Sequence, residues 1–362
     1  MSGTMKSLVV NPDITTTISD IPIPTPGPHE VLIKVVVAGS NPKDWKLPLW
    51  WNKSANTGDD FSGYVEAVGS DVYEFKKGDR VIAYRHWENP YGSYAEYALA
   101  FDFMVVKLPE KVSFEEAATI PLAALTAVVA LYHTLRLPHP WVPATKPTPL
   151  VVYGAATAVG AFGIKLAQLS NIHPIIGVVG RGKEFAETLI DRSKGDELVD
   201  YRDGNEAVVK GIKAALAKSG FGSVDYVFDA VSEHGSVLDA AAVLSKTGQI
   251  AGVLDLELDP KAKDLSKDVN WVRMSVGWVF QNKWEEGSEE AKQGVSTATT
   301  GREIGFLFLR WFVRGLDEGW FKGHPYEVVK GGLNGVSGAL QNLKEGKSSA
   351  VKYVYRIADT QF

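Results

Sequence analysis

At 362 residues the chain is too long for one ordinary core, and at roughly 100–200 residues per domain it calls for two. Hydrophobic residues at 45%, charged residues at 22% and a net charge of −5 describe a globular chain with no electrostatic footprint for nucleic acid. There is no cysteine, which removes disulfides, catalytic thiols and every thiolate metal site.

The N-terminus, Met1 to Val10, lacks the charged-then-apolar pattern of a secretory signal. The first ~120 residues then read as strands and turns, the composition of a compact antiparallel, barrel-like domain. Strands are expected at Val31 to Val37, Tyr64 to Val68 and Arg80 to Tyr84, with turns at Gly69-Ser-Asp71 and Lys77-Gly-Asp79. Ser113-Phe-Glu-Glu116 has the form of a capping box. The apolar run Ala117 to Tyr132 contains Pro121 and Thr126 and falls short of the ~18–20 clean apolar residues of a membrane span. It reads as a buried interdomain helix; no membrane contact is expected, and the expected compartment is the cytosol.

A Pro-rich linker, Leu137 to Pro149, precedes a change of pattern. Strands are expected at Pro149 to Tyr153, Ile175 to Val179, Glu197 to Tyr201, Asp225 to Asp229 and Gln249 to Leu254. Helices are expected at Val159 to Leu169 and Phe185 to Lys194. Strands alternating with helices imply a doubly wound parallel sheet, so the fold class is α/β. The stretch Gln281 to Thr300 reads as a polar surface loop, Ile304 to Leu316 as an amphipathic helix and Val351 to Ile357 as a final strand.

The turn Gly154-Ala-Ala-Thr-Ala-Val-Gly160 joins a buried strand to a helix. Pyrophosphate needs small residues at such a turn, because the backbone approaches the phosphates closely and the helix start offers free N–H groups. Of the usual three glycines only Gly160 remains; Ala155 and Thr157 stand for the others, and the Thr157 hydroxyl can donate to a phosphate oxygen. The second strand runs out into Val179-Gly-Arg-Gly-Lys183, with two cations where an NAD-binding protein keeps an acid. A carboxylate repels a 2′-phosphate and Arg181 grips it with a fork, so the expected cofactor is NADPH.

With these residues in view the chain resembles the medium-chain dehydrogenase/reductase superfamily over almost its whole length. The matching stretches are Asn41-Pro-Lys-Asp-Trp-Lys46, Gly58-Asp-Asp-Phe-Ser-Gly63, Gly78-Asp-Arg-Val81, Gly92-Ser-Tyr-Ala-Glu-Tyr97, Pro121 to Ala127 and Gly154 to Gly160. The tail matches at His324-Pro-Tyr-Glu-Val-Val-Lys-Gly-Gly332 and Leu343-Lys-Glu-Gly346. The Ala-Thr-Ala form of the loop and the tail are most similar to the fungal trans-acting enoyl reductases that partner polyketide synthases, within the zinc-independent quinone and enoyl reductase branch. The resemblance implies a GroES-like catalytic domain, residues 1–123 and 283–362, and a Rossmann cofactor domain, residues 124–282. Zinc relatives carry a Cys where Asn41 stands, and the seven His are scattered singly, so no metal is expected.

The resemblance also implies a site. Lys43, Asp44, Trp45 and Lys46 would lie beside the nicotinamide and its ribose, with Lys46 the functional, catalytic lysine. Thr126 would lie under the nicotinamide. Thr157, Ala158, Val159 and Gly160 would face the pyrophosphate, and Gly180, Arg181, Lys183 and Tyr201 the 2′-phosphate. Leu254 would pass the nicotinamide, while Ser348 and Ser349 close over the cofactor. Asn41 and the segment Val276, Gly277, Trp278, Val279 and Phe280 would line the substrate side.

Three functions are compatible with these residues: hydride transfer to a carrier-bound enoyl thioester, reduction of small free quinones or enones, and NADPH binding without catalysis. A carrier-delivered substrate calls for a basic patch, for which Lys43, Lys46 and Lys53 lie in the right stretch, and tryptophans 50, 51, 278 and 284 fit either substrate. Relatives that dimerise pair an edge strand, here expected at Arg273 to Val279.

Overall fold

The computed structural model describes residues 3–281 and 301–361. Apart from Gln281, the expected loop Gln281 to Thr300, and Trp284 with it, lies outside the described residues. The described chain forms two compact units, one running to Leu125 and resuming at Gly277, the other Thr126–Val276.

The first unit opens with the antiparallel pair β1 (Thr4–Val10) and β2 (Thr16–Pro22). Strand β3 (Glu30–Gly39) is followed by helix α1 (Lys43–Trp51), and then by β4 (Asp60–Val68), β5 (Arg80–Tyr84), β6 (Tyr97–Phe101) and β7 (Val105–Lys107). Helix α2 is a single turn, Phe114–Ala117, and α3 (Pro121–Val128) carries the chain into the second unit. After the second unit the chain adds helices Gly301–Glu318 and Val336–Lys344 and two strands, Tyr326–Val328 and Lys352–Arg356. The long β3 pairs with β4, with β6 and with Lys352–Arg356, all antiparallel. It is buried along most of its length and runs through one apolar core with Leu8, Phe61, Tyr94 and Tyr355.

The second unit contains β8 (Leu150–Tyr153), α4 (Ala158–Leu169), β9 (Ile175–Val179), α5 (Lys183–Glu187) and β10 (Glu197–Asp200). It continues with α6 (Asn205–Lys218), β11 (Val224–Asp229), α7 (Ser236–Ala241), β12 (Leu244–Gly252) and β13 (Trp271–Arg273). The six strands are all parallel, in the order β10-β9-β8-β11-β12-β13. Strands β8 and β9 are apolar and buried at every position, as a parallel strand covered on both faces must be. This is the doubly wound arrangement expected from the sequence. The apolar stretch Phe114–Thr134 is long and apolar enough to cross a membrane, and 83% of its window is buried inside the protein.

Three local expectations change. The helix expected over Phe185 to Lys194 is only α5, Lys183–Glu187, followed by a separate 3-10 turn, Arg192–Lys194. Asp191 starts that turn by accepting from the Ser193 N–H, while Arg192 reaches back to Glu187 and forward to Glu197. The edge strand expected over Arg273 to Val279 ends at Arg273, because Val276–Phe280 coils into a 3-10 turn. The capping box is half made: Ser113 Oγ accepts from the Glu116 N–H at 3.1 Å, but the Glu116 carboxylate accepts from the Gly323 N–H at 2.9 Å.

Beneath α1 runs a continuous chain of buried charges. Arg85, 2% exposed, donates from Nε (2.9 Å) and Nη2 (2.7 Å) to one oxygen of Asp59, whose other oxygen meets Lys43 Nζ at 2.7 Å. Lys43 also donates to the Thr57 carbonyl at 2.7 Å and lies 3.3 Å from Asp44. Asp44 accepts from the Tyr94 hydroxyl (2.7 Å) and the Asn41 N–H (2.8 Å). The Asn41 amide donates to Asp60 at 2.8 Å, and Lys352 Nζ pairs with the same Asp60 oxygen while donating to Asn41 Oδ1 at 3.1 Å. The remaining Asp60 oxygen accepts from the Leu122 N–H at 2.7 Å, at the start of α3. Removing one member leaves a buried charge unanswered, at a cost of about 3–5 kcal/mol.

Burial raises the Asp44 pKa to about 6; Lys43 opposes the shift and the Asp59 charge adds to it. Between the unfolded value near 3.8 and the folded value near 6, the folded chain keeps a proton that the unfolded chain has released. The stability contributed at this position therefore falls as pH rises through that window. In urea denaturation across that window, wild type is expected to lose about 1–3 kcal/mol relative to Asp44→Asn. A difference that stays constant with pH would show that Asp44 titrates as an ordinary carboxyl.

Candidate functional site

Two sets of residues carry the chemistry, one in each unit. In the second unit, β8 ends at Tyr153 and the chain turns at Gly154, whose φ of +83° is left-handed and costs a side-chain-bearing residue strain. Thr157 then caps α4, its Oγ accepting from the Gly160 N–H at 3.0 Å. That leaves the Thr157 hydroxyl proton and the N–H groups of Ala158 and Val159 at the helix start, where anions are favoured. Gly160 packs directly on the Gly154 carbonyl, so a Cβ there would collide with the backbone of the turn. Free donors at a dipole end, on a turn held tight by its two glycines, fit a pyrophosphate. The sequence pattern identified Gly160; it did not show that Gly154, one residue before the usual first glycine, makes the turn.

The second strand ends at Val179, and Gly180 lies directly under the Tyr201 ring, too close to admit a Cβ. Arg181 and Lys183 are exposed and Tyr201 is 46% exposed. The nearby acid, Asp200, is held by Arg202, which donates to it from its side chain (Nε, 2.9 Å) and its N–H (3.0 Å). These bonds, with Lys183 adding to them, lower its pKa to about 2. The corner thus gathers Gly180, Arg181, Lys183 and Tyr201 at adjoining strand ends, with its carboxylate already neutralised. Leu254 is half-buried in the bend just after β12. Thr126, 6% exposed, lies within α3.

In the first unit, the site residues lie on α1. The helix contains Pro48 and is closed by Asn52 in the left-handed conformation, its N–H donating to the Pro48 carbonyl. Lys46 is 5% exposed, with its ammonium 5.4 Å from the centre of the Trp45 ring and 5.7 Å from that of Trp50. Aromatic faces stabilise a cation that burial has stripped of water. Trp45 is half-buried against the core and also carries Lys344 at 5.9 Å. Asp44 and Lys43 belong to the buried charge chain, and so does Asn41, whose amide is engaged at both ends. Of the three lysines expected to form a basic patch, Lys43 is paired and Lys46 is buried, leaving only Lys53 exposed. The lysine–aspartate pairing that overrides the patch spans a loop, and no local pattern announces it.

The segment Val276, Gly277, Trp278, Val279 and Phe280 is the 3-10 turn; Trp278 (6% exposed) and Val279 are buried, and the Trp278 carbonyl packs on Gly301. Phe280 joins an aromatic cluster with Tyr84, His86, Phe101 and Phe103 that the sequence did not reveal. Ser348 and Ser349 are half-buried before the last strand, and Ser348 Oγ donates to the Val351 carbonyl at 3.1 Å. Among the described residues, no three His, Cys, Asp or Glu side chains come together as a metal set.

Residues 27–110 match the family model of the alcohol dehydrogenase GroES-like domain. The chain is 42% identical over 339 residues to the trans-enoyl reductase fsr4 of Gibberella fujikuroi, covering 92% of this chain and 93% of that one. It is 30% identical to a trans-enoyl reductase of Alternaria alternata, over 98% of this chain and 99% of the relative. Among solved structures, the CurK enoyl reductase superposes with a TM-score of 0.71 at 22% identity, over 97% of this chain and 98% of the other. The quinone oxidoreductase of Coxiella burnetii gives the same TM-score of 0.71 and identity of 22%, covering 98% and 99%. The two structural likenesses speak for the fold; the 42% identity along nearly the full length of both chains decides the family. The chain belongs to the trans-enoyl reductases, oxidoreductases of the medium-chain dehydrogenase/reductase superfamily.

Proposed function

We propose that this oxidoreductase transfers a hydride from NADPH to the β-carbon of an α,β-unsaturated thioester carried by a polyketide synthase, in secondary metabolism and without zinc. The observation that carries the reaction class is the 42% identity to a trans-enoyl reductase over 92% of the chain.

The choice of phosphate-bearing cofactor rests on the strand-end corner. A 2′-phosphate brings two negative charges to a surface with Arg181 and Lys183 exposed and Asp200 already bound to Arg202. Arg181 suits the planar phosphate contact and Lys183 adds a point charge. Zinc independence is supported by what surrounds Asn41: the Lys352 ammonium at 3.1 Å from its amide oxygen repels a dication.

When bound, the nicotinamide supplies the hydride. Thr157 to Gly160 receive the pyrophosphate, and the cap at Thr157 keeps the helix start open toward it. Charge then collects on the substrate carbonyl oxygen, and Lys46, buried in an aromatic, water-poor setting where a hydrogen bond is worth more, would answer it. A proton from solvent completes the α-carbon. Trp278 to Phe280 flank the substrate.

The test is a panel of enoyl thioesters, enones and quinones, followed by NADPH absorbance. Arg181→Ala is expected to raise KM for NADPH about 10- to 100-fold, the loss of a charged hydrogen bond, with little change for NADH. Equal losses for the two cofactors would defeat the assignment. Lys46→Met, which keeps the buried volume, is expected to lower kcat on the order of 100-fold. Unchanged turnover would take Lys46 out of the reaction.

A further inference from the structure

A ladder of rings begins on the same helix as Lys46. Trp51, the last residue of α1, meets Trp87 with centroids 5.7 Å apart and planes tilted 44°. Trp87 meets His86 at 6.1 Å and 40°, His86 meets Phe280 edge-on at 4.6 Å and 78°, and Phe280 meets Tyr84 at 5.3 Å and 35°. Exposure falls along this path, from 50% at Trp51 and 45% at Trp87, through the half-buried His86 and Phe280, to 2% at Tyr84. The rings therefore lead from solvent toward the core of the first unit.

Two large tryptophans left half in water are an uncovered apolar surface, and such surfaces mark binding sites when they are contiguous. Burial holds the His86 pKa below its ordinary value, so that ring is neutral near pH 7, and the Glu88 carboxylate lies 3.9 Å from its Nδ1 at the side of the wall. No two successive rings in the ladder are parallel, so it offers no flat slot to clamp a planar ring from both sides. A row of tilted rings instead presents a continuous corrugated apolar face, which suits a linear chain of methyl and methylene groups. Its outer end is on the helix that carries Lys46, and Trp50, the neighbour of Trp51 in the chain, lies 5.7 Å from the Lys46 ammonium.

We infer that this ladder is the acyl-chain subsite of the enzyme, and that it selects enoyl thioesters with long apolar chains over short ones. The inference rests on the reading of the reaction given above and adds the substrate class. Trp51, Trp87 and Phe280 are then specificity-determining residues, with Tyr84 marking the buried end.

The test separates binding from turnover. Saturated acyl-pantetheine thioesters from butanoyl to decanoyl cannot be reduced, and their Kd is measured by calorimetry with NADP present. In wild type, Kd is expected to tighten about threefold to fourfold for each added methylene that reaches the wall. Trp51→Ala and Trp87→Ala are expected to raise the decanoyl-to-butanoyl Kd ratio, which lies well below one in wild type, about tenfold or more. Both rings are half exposed, so their truncation leaves the core intact. Trp141→Ala, at a 55% exposed tryptophan of the other unit, is expected to keep the wild-type ratio. Equal Kd values for butanoyl and decanoyl in wild type, or a ratio unmoved by both ladder variants, would overturn the subsite. The matching enoyl series is assayed in parallel for NADPH oxidation. Chain-length-dependent binding with no oxidation of any enoyl thioester would sink the proposed reaction and leave the subsite standing, whereas oxidation with no length dependence would do the reverse.

Discussion

Charges buried in the first unit have to answer one another, and that requirement fixes the geometry of α1. Asp44, Asp59 and Asp60 are each at most 1% exposed, and moving carboxylates out of water is unfavourable by several kcal/mol apiece. Arg85, Lys43 and Lys352 answer them, drawn from the end of β5, the start of α1 and the last strand. Because the Asn41 N–H and side chain tie into the same chain of bonds, the first turn of α1 has little freedom to rotate. Lys46 and the tryptophans beyond it are displayed from that anchored turn. The orientation of that turn is thus an electrostatic matter, settled by the buried charges beneath it.

The second unit solves a different problem with fewer parts. An anion bound at a helix start needs backbone donors on a tight turn, which Gly154, Thr157 and Gly160 supply together. Loss of the glycine at 157 costs little here, because a threonine that caps the helix retains its hydroxyl proton for a ligand. At the neighbouring strand end, internal pairing of Asp200 with Arg202 lets an acid remain in the chain without opposing a phosphate. A scan of residue types alone would count that aspartate against NADPH; its hydrogen bonds remove the objection.

Much of this was legible in the sequence where short-range physics decides. The strands Arg80–Tyr84 and Ile175–Val179 were read to the residue because β-branched runs between turn residues have one stable use. The strand–helix turn at Gly154 to Gly160 and the cationic strand end were legible for the same reason. What stayed hidden was set by partners far along the chain. Lys43 reads as a surface cation until Asp59 arrives beside it, and Asn41 reads as open to substrate until Lys352, more than three hundred residues later, takes its oxygen. The helix at Phe185 stops early because Asp191 and Arg192 prefer their own local bonds, a competition that periodicity does not register. The ring ladder joins three separate segments, and no one of them looks unusual alone.

The route of the chain has a consequence for the order of folding. Asp60 is made early and its countercharge, Lys352, very late, while the whole of the parallel-sheet unit lies between them. During synthesis the parallel-sheet unit is therefore complete before the first unit can neutralise its interior. Until the final strand docks against β3, an aspartate at the heart of the nascent barrel-like domain lacks its countercharge. A partly made chain can accordingly carry a finished parallel-sheet unit while the other still waits for the strand that brings Lys352.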